Sequence, residues 1–419
     1  MPGTSLVMTL AIWFLQTAPV PCSGAPVTTW VQRVGTPNPY GSPVVDAISI
    51  GADGRLYLAG DFSRTVDFDP GESDESYTAQ GDDAYLTGYS ERGEYYWTRI
   101  VGGPTDEGFR SLLISSTGTI LGVGSFHGET DFDPGPGIDL HSPVGDYNGF
   151  VARFTPTGDY LGVVIFGDGN KGVGPCCAGL TSDESVVIVG TYNGSADFDP
   201  GEGQIVRSSH SAGSDIFVLK LNPDFSFAWV GTIGGPAFDK ATGLAVDADD
   251  NVVLSGEFRS AVDFDPSEEG ADVHHVVNGP SDTFITKLGR DGSYHWTRTL
   301  PPDFTDRRRL AVDGDGNVLL VGSFDRATDF DPTEGFDVRP APAQVVDGYV
   351  IKLGADGSYL WTRTLQDAYH THPQNVVVDA EDNVLVVGLY WGTVDLDPGV
   401  GIRSQTADGG DDIFLLLCL

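Results

Sequence analysis

The sequence predicts an all-β protein: a six-bladed β-propeller with four antiparallel strands per blade, closed by an N-terminal strand that completes the last blade. Three observations predict it. An acidic motif recurs six times, at Asp67-Phe68-Asp69-Pro70 and again from Asp131, Asp197, Asp263, Asp329 and Asp395, with starts 64, 66, 66, 66 and 66 residues apart. Each repeat reads as four short apolar strands separated by turn residues. The first and last segments of the chain are complementary parts of one repeat. A fixed period of this length means one structural unit copied, and a unit of about 65 residues cannot bury its apolar face alone.

Repeat five shows the strand pattern most plainly. Leu310 to Asp313 is a short apolar strand, and Gly314-Asp315-Gly316-Asn317 a hairpin turn in which Gly and Asn are expected to supply positive φ. Val318 to Phe324 is apolar enough to be buried on both faces. The acidic motif and a polar loop follow. Tyr349 to Leu353 is the third strand, Ala355 to Ser358 another turn, and Tyr359 to Thr364 the fourth strand. No stretch keeps a helical period over two turns. Short antiparallel strands with turns at regular spacing are a propeller pattern. The last repeat ends in its third strand, Asp412 onward, and Trp30-Val31-Gln32-Arg33-Val34-Gly35 matches the fourth strand Trp97-Thr98-Arg99-Ile100-Val101-Gly102. Closure of the ring by residues 30–35 would hide both sheet edges.

The chain has 419 residues with 60 acidic and 23 basic side chains, a net charge of −37. That balance excludes nucleic acid, whose phosphates need clustered Lys and Arg, and argues against anionic lipid. It permits metal cations and cationic partners. Residues 6–15 are apolar and precede the small-residue stretch Pro21 to Ala25, which reads as a signal peptide over 1–24, although no Lys or Arg occurs before Arg33. The expectation is a mature propeller over 25–419, exported to the periplasm, cell surface or medium. Cys22 raises lipid attachment, but Val20 and Pro21 precede it where a bacterial lipobox wants small residues. No later segment suits a membrane helix. The mature chain keeps Cys176, Cys177 and Cys418, which gives no disulfide framework. Cys176 and Cys177 could pair or bind metal; simple substitution on a strand also explains them.

The residues Asp282-Thr283-Phe284-Ile285-Thr286-Lys287-Leu288, Asp291-Gly292, Trp296, Leu244-Ala245-Val246-Asp247 and Asn251 to Gly256 resemble the secreted bacterial β-propeller repeat family, over essentially all of 27–419. The resemblance implies an exported surface or extracellular protein, mostly without assigned chemistry. That family is often described as seven-bladed, whereas this chain counts to six.

Alternating strands place the 2–3 and 4–1 connections on one face. All six acidic motifs are expected there, with His127, His141, His210, His274, His275, His370 and His372 in or beside them. In extended backbone, residues i and i+2 point to the same side. The pairs Asp67/Asp69, Asp131/Asp133, Asp197/Asp199, Asp263/Asp265, Asp329/Asp331 and Asp395/Asp397 are therefore candidate Ca²⁺ ligands. The alternative is a stereotyped turn, with Asp capping amides, Pro fixing φ and Phe as anchor. Presence in every repeat favours the turn. The loops from Asp247, Asp313 and Asp379 look calcium-like but lack the terminal glutamate of a calcium loop, and read as hairpins.

Departures between repeats point to a unique site. Arg307-Arg308-Arg309 stand where repeat four has Ala241-Thr242-Gly243, and His370-Thr371-His372-Pro373 stand just before a first strand. Arg308 and Arg309 are candidate anion ligands, and His370 and His372 candidate transition-metal ligands. Neutralisation of an acidic mouth and solvated loop residues are the plainer readings. No nucleophile elbow, H-E-x-x-H or phosphate loop occurs. Three functions remain open. The first is a monomeric, noncatalytic binding or scaffold module, Ca²⁺-stabilised or not, for a protein or glycan. The second is a Ca²⁺-dependent hydrolase of a phosphate ester, lactone or glycan. The third is a structural part of an extracellular assembly.

Overall fold

In the computed structural model, residues 43–419 are described except 72, 211–212, 268–269, 278, 301–309, 342–344, 367–369, 380, 398–402, 408–409 and 418–419. The expected leader (1–24), the closing strand (30–35), Arg308, Arg309 and Cys418 lie outside the described residues. The described residues are all strand, turn and loop, with no helix. The chain divides into two compact units, Met1–Ile165 and Phe166–Leu419.

The first unit holds two antiparallel sheets. Sheet 1 runs Pro43–Ile50, Leu56–Asp67, Ser76–Tyr89, Tyr95–Val101, and sheet 2 runs Glu107–Ile114, Ile120–Phe126, Asn148–Phe154, Tyr160–Phe166, each hydrogen-bonded in chain order. The second unit holds four. Sheet 3 is Val173–Leu180, Val186–Tyr192, Asp215–Leu221, Phe227–Ile233. Sheet 4 is Lys240–Val246, Val252–Phe258, Asp282–Leu288, Tyr294–Leu300. Sheet 5 is Leu310–Val312, Val318–Phe324, Asp347–Leu353, Tyr359–Leu365, and sheet 6 is His370–Val378, Val384–Trp391, Asp412–Leu417. The second and third strands are strongly apolar because consecutive sheets within each unit pack face to face. One core joins Tyr57, Leu86 and Val101 of sheet 1 to Phe109, Ile120 and Phe154 of sheet 2. In the second unit, similar cores join sheet 3 to 4, 4 to 5 and 5 to 6.

The acidic motif closes each sheet at one edge. The loop expected between second and third strands is itself a short antiparallel ribbon, as in Thr130–Asp131 with Leu140–His141 and Ala261–Asp263 with Val273–His275. The motif phenylalanine is fully buried and meets the last aromatic of the second strand edge to face. Phe62–Phe68, Phe126–Phe132, Tyr192–Phe198, Phe258–Phe264 and Phe324–Phe330 all have ring centroids 5.1–5.4 Å apart. Such a pair contributes roughly 0.5–1.5 kcal/mol beyond its buried area. The ribbon also reaches back one sheet: Asp131 pairs with Gly102, and Asp263 with Gly234.

Two expectations are corrected. First, Gly316 supplies positive φ in the first hairpin as expected, but the asparagine does not: the residue before it does, Asp250, Gly316 and Asp382 at 62–79°. The asparagine serves otherwise: Asn251 Nδ2 and Asn317 Nδ2 each donate to the turn aspartate at 2.9 Å. That aspartate also caps two turn amides and pairs with the third-strand lysine, Asp247 with Lys287 at 2.8 Å and Asp313 with Lys352 at 2.7 Å. Burial raises the Asp247 carboxyl, but the bonds from Lys287 and Asn251 prevail and hold it below the usual range. Second, His370 and His372 lie within the first strand of sheet 6, not ahead of it.

Within each unit, sheets 1 and 2, 3 and 4, and 4 and 5 are latched on the opposite edge. The fourth-strand Trp97 Nε1 donates to Pro156 O, Trp229 to Arg290 O and Trp296 to Ala355 O, at 3.1–3.3 Å. Each acceptor lies in the 3–4 turn of the next sheet. The turn glycine lies on the indole, so a Cβ at Gly158 or Gly357 would stand 2.8 Å from Trp97 or Trp296. Arg99 and Arg298 lie over those indoles, 5.4 and 5.7 Å from guanidinium carbon to ring centroid, and their Nε atoms donate to the same glycine carbonyls.

Gly357→Ala therefore combines a positive φ of 78° with a clash against Trp296, and is expected to destabilise the chain by about 2 kcal/mol or more. Gly410→Ala, with nothing within 4 Å, is expected to shift the denaturation midpoint little. Urea unfolding of the two variants checks both.

Candidate functional site

The edge carrying the 2–3 and 4–1 connections is held by buried carboxylates. The apolar part of every third strand starts with an acid or its amide: Asp83, Asn148, Asp215, Asp282, Asp347 and Asp412. Asp83, Asp215, Asp282 and Asp347 are all at most 4% exposed. Two glycines make room for them. A Cβ at Gly102 or Gly234 would meet the carboxyl carbon of Asp83 or Asp215 at 2.5 or 2.2 Å. A Cβ at Gly103 or Gly235 would meet the backbone oxygen of Glu129 or Ala261 at 2.3 or 2.2 Å.

A second buried acid follows four residues on. Gly103 N donates to Glu107 Oε2 at 3.0 Å, and Gly235 N to Asp239 Oδ2 at 2.8 Å. Asp239 Oδ1 accepts from Arg259 N at 2.9 Å. Burial is the main cause that raises Asp239 to about 6; the nearby Asp215 adds, and the two amides oppose. Asp215 is raised by burial against its bonds from the His210 amide and Nδ1, at 2.9 and 2.8 Å.

Phe238 and Lys240, on either side of Asp239 in the chain, line a cavity of about 380 Å³ together with Thr191, Ser214, Glu257 and Arg259. It lies between sheets 3 and 4 of the second unit. Phe238 is 57% exposed, and Arg259 pairs with Glu257 at 3.3 Å. The six residues occupy repeat-variable positions: Glu257 corresponds to Asp61, Ser125, Thr191, Ser323 and Leu389, and Arg259 to His127, Asn193 and Trp391.

The matching position between sheets 5 and 6 is occupied by the predicted histidines. His370 stacks on His372 at 5.9 Å and 12°, and on Trp391 at 6.0 Å and 25°. His372 Nδ1 lies 3.2 Å from Ser323 Oγ. Burial, then the charge of His370, lowers the His372 pKa. The rings are parallel plates, not ligands converging on one point. Among the described residues, no three His, Cys, Asp or Glu side chains form a group able to hold a metal ion.

The twelve motif aspartates are spread over the six ribbons. In each pair the first aspartate braces its own loop: Asp131 Oδ1 accepts from Asp133 N at 3.1 Å and Asp139 N at 2.9 Å. The same two bonds recur at Asp67, Asp197, Asp263, Asp329 and Asp395. The second aspartate caps the turn, as Asp133 does for Gly135 N at 2.8 Å, and Asp69, Asp199, Asp265 and Asp331 repeat it. Asp397 stands at this second place in the last motif. Its amide donates to Asp395 Oδ1 at 2.9 Å, as in the other copies, but the turn that follows it, 398–402, lies outside the described residues. In every pair, Oδ1 of the first aspartate is thus engaged by loop amides. The first carboxylate of every pair turns inward onto amides, and none of the twelve aspartates, Asp397 included, joins a group of three such ligands among the described residues.

Sequence reasoning missed Asp239 and the cavity residues. The signal available was the duplicated Gly-Gly-Pro-x-x-acid run at Gly102 and Gly234.

No family model matches the chain. A curated relative, the uncharacterized WD repeat-containing protein L264 of Acanthamoeba polyphaga mimivirus, is 24% identical over 216 residues, 46% of this chain. The match spans 15% of that relative's length. Among solved structures, the pyranose dehydrogenase PQQ domain of Coprinopsis cinerea aligns with TM-score 0.37 and 10% identity, covering 85% of this chain and 94% of that one. The Xanthomonas campestris gluconolactonase XC5397 aligns with TM-score 0.32 and 13% identity, covering 84% and 96%. At these scores neither likeness assigns an activity to this chain. No helix of the described residues is long and apolar enough to cross a membrane.

Asp239 sets a pH dependence. The folded chain keeps this proton to about pH 6, whereas an unfolded aspartate releases it near 3.8. Between those values the folded state binds more protons, so this contribution to stability grows as pH falls. The advantage of the wild type over Asp239→Asn is expected to grow by about 2 kcal/mol from about pH 7 to about pH 4.5, read from paired melting curves.

Proposed function

We propose that the chain is a noncatalytic, exported six-bladed β-propeller, related to the secreted bacterial repeat family, that acts as a rigid binding module for an acidic glycan. One observation carries the reading: the cavity between sheets 3 and 4 is lined by residues that vary between repeats, on a frame whose braces and latches recur. A repeated frame needs the same residues in every copy; a ligand contact does not. An exposed aromatic, two cations and hydroxyls suit a sugar ring with a carboxylate: Phe238 stacks, and Lys240 and Arg259 pair with the acid. A trigalacturonate titration by calorimetry is the test. Binding lost in Lys240→Ala/Arg259→Ala and in Phe238→Ala supports the module. No heat with the wild type removes the acidic-glycan reading and leaves the scaffold or assembly role.

The acidic motifs serve this module as loop braces, with Ca²⁺ as the rival role. Asp131→Ala strips an acceptor from two amides and is expected to cost roughly 1–3 kcal/mol, while Asp131→Asn keeps Oδ1 and most of the stability. Melting in excess EDTA and in millimolar Ca²⁺ separates the roles. Amide braces leave the midpoint unchanged; bound Ca²⁺ raises it by several degrees, and both Asp131 variants shrink that rise.

A further inference from the structure

The first strand of sheet 3 carries the adjacent pair Cys176-Cys177. Adjacent residues of a regular strand point to opposite faces, which would hold their sulfurs apart. Here the Sγ atoms are 2.9 Å apart. A bulge brings them together: the pairing with the second strand jumps from Pro175 to Cys177, leaving Cys176 as the inserted residue. Bulges are devices for re-aiming a side chain.

The same bulge recurs at the same place in four other sheets, where the inserted residue is Asp46, Arg110, Thr242 or Gln374. The residues that follow are Ala47, Ser111, Gly243 and Asn375. Of these five bulges, that of sheet 3 alone carries a thiol at both positions. The bulge directs side chains together elsewhere in the chain too: Arg110 Nη1 bridges Asp46 and Asp61 at 2.5 and 2.7 Å. Cys177 is 5% exposed and Cys176 is half-buried, so one thiol can be reached by a small reagent while its neighbour waits behind it.

We propose that Cys176 and Cys177 are a vicinal dithiol that closes reversibly to a disulfide ring. With a small-molecule disulfide such as oxidised glutathione as oxidant, the Cys176 thiolate attacks one sulfur and expels one glutathione thiolate. Cys177, deprotonated, then attacks Sγ of Cys176 in the mixed disulfide and expels the second. Two protein thiols are oxidised to one S–S bond, one glutathione disulfide is reduced to two thiols, and the two protons end on the two glutathiones. Adjacent Cα atoms are about 3.8 Å apart, below the usual 4.4–6.8 Å of a disulfide, so the ring forms under strain and reopens with mild reductant. That makes it a switch of the bulge, not a staple of the fold.

The test uses the native full-length chain, incubated with oxidised glutathione, alkylated with iodoacetamide, digested without reductant and read by mass spectrometry. The expected product is a peptide spanning 176–177 that is two hydrogens lighter than the dithiol, carries no alkyl group, and takes up two after dithiothreitol. Cys176→Ser cannot close, and Cys177 then gains an alkyl group or keeps a glutathione. A wild-type peptide bearing two alkyl groups, or glutathione that is never displaced, overturns the proposal.

Discussion

The contact on which this architecture depends is an indole lying on a glycine of the next sheet. A four-stranded sheet that is apolar on both faces is insoluble by itself and has to be covered on each side. Packing supplies the attraction, but apolar packing is non-directional and does not choose which turn meets which strand. The Trp97, Trp229 and Trp296 indoles add direction. Each donates one hydrogen bond into the following 3–4 turn, at Pro156, Arg290 or Ala355. The glycine beneath the ring is needed twice over, for its positive φ and for the absence of a Cβ.

The other edge is organised by carboxylates. An acid at the head of the third strand is nearly inaccessible, and its seat exists because Gly102 or Gly234 lacks a side chain. Burying acids in a chain of charge −37 is costly, and backbone amides offset part of that cost at Asp83, Glu107, Asp215, Asp239 and Asp282. Where burial outweighs the amides and a second acid is near, a proton is held instead, as at Asp239. The cavity opens at this edge, lined by Phe238 and Lys240, the two neighbours of Asp239 in the chain.

Much of this was legible in the sequence. The period of the acidic motif, the alternation of strands and turns, and the burial of its phenylalanine all follow from residue pattern, because each copy repeats the same local chemistry. Sixfold recurrence favours a turn at Asp67 and Asp131, and both carboxylates accept loop amides. What was hidden depends on register. A one-residue bulge decides that Cys176 meets Cys177, and it leaves no mark in composition. The placement of His370 and His372 inside a strand followed the pairing of sheet 6, where Thr371 and Pro373 extend the ladder. Asn317 caps the turn aspartate through its side chain and does not supply the positive φ, a distinction that propensity does not make.

The latch is tested most directly by a double-mutant cycle on Trp296 and Gly357, with unfolding free energies for the two single variants and the double. If the indole lies on the glycine, the alanine methyl at 357 loses its steric conflict once Trp296 is alanine. The two changes should then be less than additive by about 1–2 kcal/mol. Strict additivity, within about 0.3 kcal/mol, would mean that the two residues do not touch and that consecutive sheets are ordered by something other than this contact.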